Sequence, residues 1–153
     1  MPNIITHSLF AQDMLNRFAD RKWLQDRAHL FTVGSNGPDY LFFSGLDARG
    51  FFRDSKLRRY GGKLHSGHVN DFYASALQSI RSEKDDAIKA DMMAYVCGHL
   101  CHWALDSTVH PYVYYRTGKG TKQNSWNHHR MESVLDSIVL KVKRGETIRD
   151  FNT

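Results

Sequence analysis

Residues 98–111 read Gly98-His99-Leu100-Cys101-His102-Trp103-Ala104-Leu105-Asp106-Ser107-Thr108-Val109-His110-Pro111. In a helix, side chains four residues apart stand about one turn apart on one face. His102 and Asp106 therefore form a pair, and His110 follows at the same interval. Apolar residues recur at helical spacing around this stretch. That predicts a helix from about residue 84 to 107, with Ile88, Met92, Val96, Leu100 and Trp103 or their neighbours turned inward. Pro111 lacks an N–H and disfavours helical geometry in the residue before it, so the helix is expected to stop with His110 extended.

The same periodicity extends in both directions. Thr6 reads as the N-cap of a first helix with Phe10, Met14, Leu15 and Phe18 as its apolar positions. Asp20 reads as the cap of a second, carrying Trp23, Leu24 and Leu30 and ended by the turn residues 34–38. Residues 37–62 read as an aromatic loop with Tyr40, Phe42, Phe43, Phe51, Phe52 and Tyr60. A third helix is expected from about Leu64 through Phe72 and Leu77 to Ile80. A polar linker over residues 116–124 leads to a last helix with Met131, Val134, Leu135, Ile138 and Val142, stopped near Gly145. No alternating strand of convincing length competes. The expectation is an all-α, single-domain helical bundle over residues 1–153.

Composition narrows the function classes. The 153 residues are 41% hydrophobic and 24% charged, which suits one soluble globular domain. No run approaches the roughly 18 apolar residues of a membrane span, and no secretory leader is visible at the start. With only 2 Cys, a disulfide framework is not expected, and a cytoplasmic location is. The net charge of +5 favours anionic partners. Its basic residues are scattered, and the short clusters at residues 56–59 and 141–144 read as solvated surface rather than a nucleic-acid-binding face.

Histidine is the outlying count, at 9. His128 and Glu132 repeat the four-residue spacing of His102 and Asp106. Imidazole and carboxylate are ligands that zinc accepts, provided they converge from several elements. Spacing alone leaves a metal site and scattered surface histidines both open. A haem-attachment reading of Cys97 to His102 fails, because that motif needs Cys-x-x-Cys-His and here three residues separate the cysteines; buried packing is the simpler reading for both. No phosphate-cradling Gly-rich loop and no Gly-x-Ser-x-Gly elbow is present.

Six pieces occur in a recognisable order: Thr6-His7, Gly37-Pro38-Asp39, Leu64-His65-Ser66, the stretch from Gly98 to Asp106, Val109-His110-Pro111, and His128-His129-Arg130-Met131-Glu132. Together they resemble the zinc-dependent phospholipase C family, over most of the chain. The resemblance implies a helical bundle with two or three zinc ions clustered between helices, a centre shared with zinc-type single-strand nucleases. It implies that Asp39, His65, His102 and Asp106 hold one zinc and that His110, His128 and Glu132 hold a second. His7, with Asp106 as a bridge, belongs to a third. His68 and His129 are the alternatives to His65 and His128, and His99 is an outer neighbour of His102. His29, His68, His99 and His129 otherwise read as surface or hydrogen-bonded supporting histidines.

The implied chemistry is phosphodiester hydrolysis by a zinc-activated water, with Asp39 as ligand and base and Tyr40 at the substrate mouth. Phe42, Phe43, Trp103, Tyr112 and Tyr114 read as further mouth residues or as core, and Trp103 as core. The implied substrate is a phosphodiester such as a phospholipid. None of the six residues before His7 is acidic, which argues against a choline head group. Two other readings share the residues: a zinc nuclease or nucleotide phosphatase with nucleic acid as substrate, and a non-catalytic metal-binding domain.

Overall fold

The Asp85 carboxylate starts the helix that carries the 98–111 stretch. It accepts from the N–H groups of Ala87 (2.8 Å) and Ile88 (3.1 Å), donors that a helix start otherwise leaves open. The computed structural model describes residues 4–45 and 56–151. In chain order α1 is Ile4–Arg17, α2 Lys22–Gln25 and α3 Ala28–Ser35, followed by a 3₁₀ turn at Asp39–Phe43. Then come α4 (Lys56–Ser66), α5 (Val69–Ser82), α6 (Asp86–Thr117) and α7 (Lys122–Arg144). No strand occurs among the described residues, and the all-α expectation holds. Phe51 and Phe52 lie outside those residues.

Pro111 does not end the helix. α6 continues through it to Thr117, although a proline inside a helix costs about 3 kcal/mol. Continuation keeps His110 on the face of Asp106, and it carries Val113 into a fully buried position. Tertiary packing overrides the local preference. Other boundaries differ as well. The expected second helix is split into α2 and α3 and is not capped by Asp20; the region read as loop contains the 3₁₀ turn and most of α4, and the expected third helix is interrupted at residues 67–68, between α4 and α5. Thr6 does not cap α1, which already includes Ile4 and Ile5; its hydroxyl instead donates to Asp136 on α7. Thr121 caps α7 by accepting from Asn124 N–H at 3.0 Å. Gly145, at φ 71°, ends it as expected.

Ala11, Leu15, Leu24, Phe31 and Ala94 form the apolar core, with Cys97 and Cys101 against it. α3 and α6 make the closest packing of the bundle, through Gly34 and Gly98. A Cβ at Gly34 would sit 2.2 Å from the Tyr95 carbonyl oxygen, and one at Gly98 would sit 2.0 Å from that of Phe31. The inward faces are not the expected ones. Ile88, Leu100, Trp103, Val134, Ile138 and Val142 are exposed. The buried positions of α6 are Ala94, Gly98, His99, His102, Asp106 and Val113, and those of α7 are His128, Glu132, Asp136 and Leu140. No helix among the described residues is long and apolar enough to cross a membrane.

Burial raises the Cys97 thiol and pushes Cys101 up to about 11. The thiolate is the reactive form. In the folded chain at pH 7.5, iodoacetamide is therefore expected to leave both cysteines unmodified over an hour. In urea both should be alkylated within minutes. Mass spectrometry of the two samples checks this.

Candidate metal centre

Five elements deliver side chains to the centre: α1, the 3₁₀ turn after α3, α4, α6 and α7. The backbone at Gly37 has φ 55°, and a Cβ there would lie 2.3 Å from the His102 ring. Only glycine allows the chain to turn this close to the imidazole. Pro38 and the 3₁₀ turn then place Asp39, which is buried. On α4, His65 Nδ1 lies 2.7 Å from the Gly61 carbonyl oxygen. Donation from Nδ1–H fixes the ring and turns Nε2 to Asp39 Oδ1 at 2.9 Å. α1 supplies His7, whose ring stacks on His102 with centroids 4.3 Å apart.

Asp106 is the hub. Its oxygens lie 3.3 Å from His7 Nε2, 3.3 Å from His102 Nε2, 3.7 Å from His110 Nδ1 and 3.9 Å from His65 Nε2. Glu132 on α7 lies 2.6 Å from His128 Nε2 and 3.7 Å from His110 Nε2. The ligand-type atoms fall into three groups: His7, His102 and Asp106; Asp39, His65 and His102; and His110, His128 and Glu132. Within each group they lie within 4.8 Å of one another.

These groups fit a metal centre better than a hydrogen-bonded polar core. Neither ring nitrogen of His7 or His102 has a hydrogen-bond partner among the described residues, and neither do Asp39 Oδ1 and Asp106 Oδ1. An unsatisfied buried polar group costs about 1–3 kcal/mol, so a cluster of them signals atoms kept for another partner. Lone pairs converging from imidazole and carboxylate are what zinc takes. Asp106 turns Oδ1 to His7 and Oδ2 to His102 and His110, so its two oxygens could serve neighbouring ions.

Proton affinities agree. Burial holds the His7 and His110 rings below the usual histidine range and brings His128 down to about 4. All three are thereby neutral and able to coordinate. Burial alone would raise the Asp106 carboxyl, but the His102 and His7 rings 3.3 Å away hold it well below the carboxylate range. His65 is raised: burial opposes the charged ring, and the bonds to Asp39 and Gly61 outweigh it.

A pH dependence follows for the metal-free chain. A histidine whose folded pKa is depressed takes up protons more readily when unfolded. Stability is then lost as pH falls below about 6.5 for His7, His99, His110 and His128, and for His99 and His128 the loss extends to about 4. His65 works the other way, adding stability that is lost as pH rises through its folded value. Four groups against one set the net sign. In EDTA, the urea midpoint is expected to be lower at pH 5 than at pH 7, and equal midpoints would contradict this burial pattern.

The structure separates the histidine alternatives. His68 is exposed and pairs with Asp71 at 3.1 Å, whereas His65 joins a group. His129 is exposed, with Nδ1 3.5 Å from Glu132 Oε2, and the nearer His128 joins. His29 is also exposed. His99 is deeply buried and outside the groups. Its Nδ1 lies 3.0 Å from the Tyr73 hydroxyl, its ring packs on Phe72, and burial pushes it down to about 4. Tyr40 is half exposed beside Asp39, its hydroxyl 2.9 Å from that of Tyr95. Trp103, read as core, is 45% exposed; the inward positions beside it belong to His102 and Asp106. One residue escaped the sequence reading: Asp136, buried on the same face of α7 as His128 and Glu132. The four-residue series 128, 132, 136 was the signal for it.

Residues 1–152 match the family model described as zinc dependent phospholipase C. Comparisons with curated proteins and with solved structures return no match.

Proposed function

The chain belongs to the zinc-dependent phospholipase C family, and from that premise we propose that it hydrolyses the phosphodiester of a phospholipid-type substrate at a zinc centre. The observation that carries the reading is the convergence of three imidazole–carboxylate groups, in two of which the His7 and His102 ring nitrogens, Asp39 Oδ1 and Asp106 Oδ1 are buried without hydrogen-bond partners among the described residues. In this reading Asp39, His65, His102 and Asp106 hold one ion, His110, His128 and Glu132 a second, and His7 with Asp106 a third. When bound, zinc supplies acidification of water and neutralisation of phosphate charge.

The chain's own residues do the rest. Asp39 accepts the proton of the attacking water at a carboxylate oxygen. His65, fixed by Gly61, holds that carboxylate in place. Asp106, kept ionised by His7 and His102, supplies the negative charge that draws cations to the centre. Tyr40 flanks Asp39 at the surface, where its exposed ring can pack against the substrate's head group while its hydroxyl is tethered to Tyr95.

Elemental analysis after zinc reconstitution is expected to return at least two ions per chain. Turnover of bis(p-nitrophenyl) phosphate and release of a phosphorylated head group from phospholipid should both stop with chelator. Asp39→Asn keeps the shape but loses the base, and should lower turnover by about 10²–10⁴-fold. Chelator-insensitive turnover, or full activity in Asp39→Asn, would refute the assignment.

A further inference from the structure

Asp136 is 2% exposed, and a buried carboxylate is costly unless it is well paired. No cation satisfies it among the described residues. Its partners are the start of α1. Oδ2 accepts from the Ile5 N–H at 3.2 Å, and Oδ1 accepts from the Thr6 N–H at 3.1 Å and from the Thr6 hydroxyl. These are the open donors of a helix N-terminus, where the helix dipole also favours negative charge. One turn of α7 earlier stands Glu132, and the residue following Thr6 is His7.

We infer that Asp136 is a positioning residue for the metal centre: it locks the start of α1 onto α7, so that His7 reaches Asp106 and stacks on His102. Further along, Lys143 pairs with Asp13 and Arg144 with Gln12 across the same two helices. Thr6 to Asp13 and Asp136 to Lys143 are equal intervals, so α1 and α7 run side by side in the same direction, pinned at both ends. The outer pins are exposed, and exposed ion pairs contribute little. The buried one sets the register. α7 thus supplies two ligands to one group through His128 and Glu132, and orients the histidine of another through Asp136.

The inference rests on reading His7, His102 and Asp106 as zinc ligands, and its test separates the two. Zinc affinity is measured by competition with a chromophoric chelator, resolving each equivalent, for the full chain and for Asp136→Asn, Thr6→Val and Thr6→Ser. Asp136→Asn and Thr6→Val are expected to weaken one equivalent by about 10–100-fold, the usual cost of losing an outer partner of a ligand, and to leave the others within about threefold. Thr6→Ser, which keeps the hydroxyl, should retain the affinity of the parent chain. In the metal-free protein the Ile5 and Thr6 amides should lose hydrogen-exchange protection in Asp136→Asn. A merely structural role would lower the melting temperature with every zinc equivalent retained or all weakened alike, and that result overturns the inference. If Asp136→Asn does not fold, the Thr6→Val and Thr6→Ser pair decides it by the same criterion. A parent chain that takes up no zinc would overturn the ligand reading and this inference together. Unchanged affinities in the variants would overturn the inference alone.

Discussion

His102→Ala is expected to strip zinc from the set it shares with Asp39, His65 and Asp106 and to reduce phosphodiester turnover to background. The reason is geometric: His102 Nε2 lies 3.7 Å from Asp39 Oδ1 and 3.3 Å from Asp106 Oδ2, and its ring stacks on His7. His110, His128 and Glu132 would keep a full set, so zinc content after reconstitution should fall by at least one ion per chain. His99→Ala provides the contrast three residues away. His99 bonds to Tyr73 and packs on Phe72 outside every group, so its loss is expected to weaken zinc by about 10–100-fold at most. Elemental analysis and turnover of the two variants, with circular dichroism to show that both remain helical, check the pair. The reverse outcome would mean that α6 presents His99 rather than His102 to the metals, one helical face away.

That contrast also marks where the sequence was legible. The four-residue spacings of His102, Asp106 and His110, and of His128 and Glu132, are properties of any helix. Once the segment is helical, the ligands fall on one face whatever else happens. The core was harder to read, because the standard rule assigns the apolar stripe to the inside. In α7 the inside is His128, Glu132, Asp136 and Leu140, while Val134, Ile138 and Val142 face outward. A metal centre inverts the pattern: the charge that would normally exclude a face from the interior is what the interior needs. Pro111 misled for a related reason. Its local cost is about 3 kcal/mol, and a sequence does not show that His110 and Val113 both depend on the helix continuing. The series 128, 132, 136 puts Asp136 on the ligand face, but its partners, the Ile5 and Thr6 N–H groups and the Thr6 hydroxyl, lie 130 residues or more away in sequence, and nothing near Asp136 points to them.

Gly98→Ala is expected to be strongly damaging, since among the described glycines it would bring its Cβ nearest to another atom. Its Cβ would stand 2.0 Å from the Phe31 carbonyl oxygen and 3.0 Å from the Ser35 nitrogen, whereas ordinary contact begins at 3.4 Å. Both obstacles are backbone, so no side-chain rotation relieves them, and α3 must move off α6 by about 1.4 Å to reach that 3.4 Å contact. Alanine gains about 1 kcal/mol of helix propensity over glycine, but overpacking typically costs about 1–3 kcal/mol and more when backbone must shift. The steric cost wins, and a net destabilisation of about 2 kcal/mol is the expected result. The damage should reach the centre as well. α3 leads into Gly37 and Asp39, and Gly37 lies against the His102 ring, so displacement of α3 pulls Asp39 away from His65 and His102 and lowers zinc affinity. Gly62→Ala is the matched control. It lies within α4 with nothing inside 4 Å of the added Cβ, and should stabilise the chain by about 0.4–1 kcal/mol. Urea unfolding in chelator gives the two stabilities, and zinc titration gives the second effect. If Gly98→Ala were as stable as Gly62→Ala, the close packing of α3 on α6 would be wrong, and with it the route by which the Gly37-Pro38-Asp39 turn is held against His102.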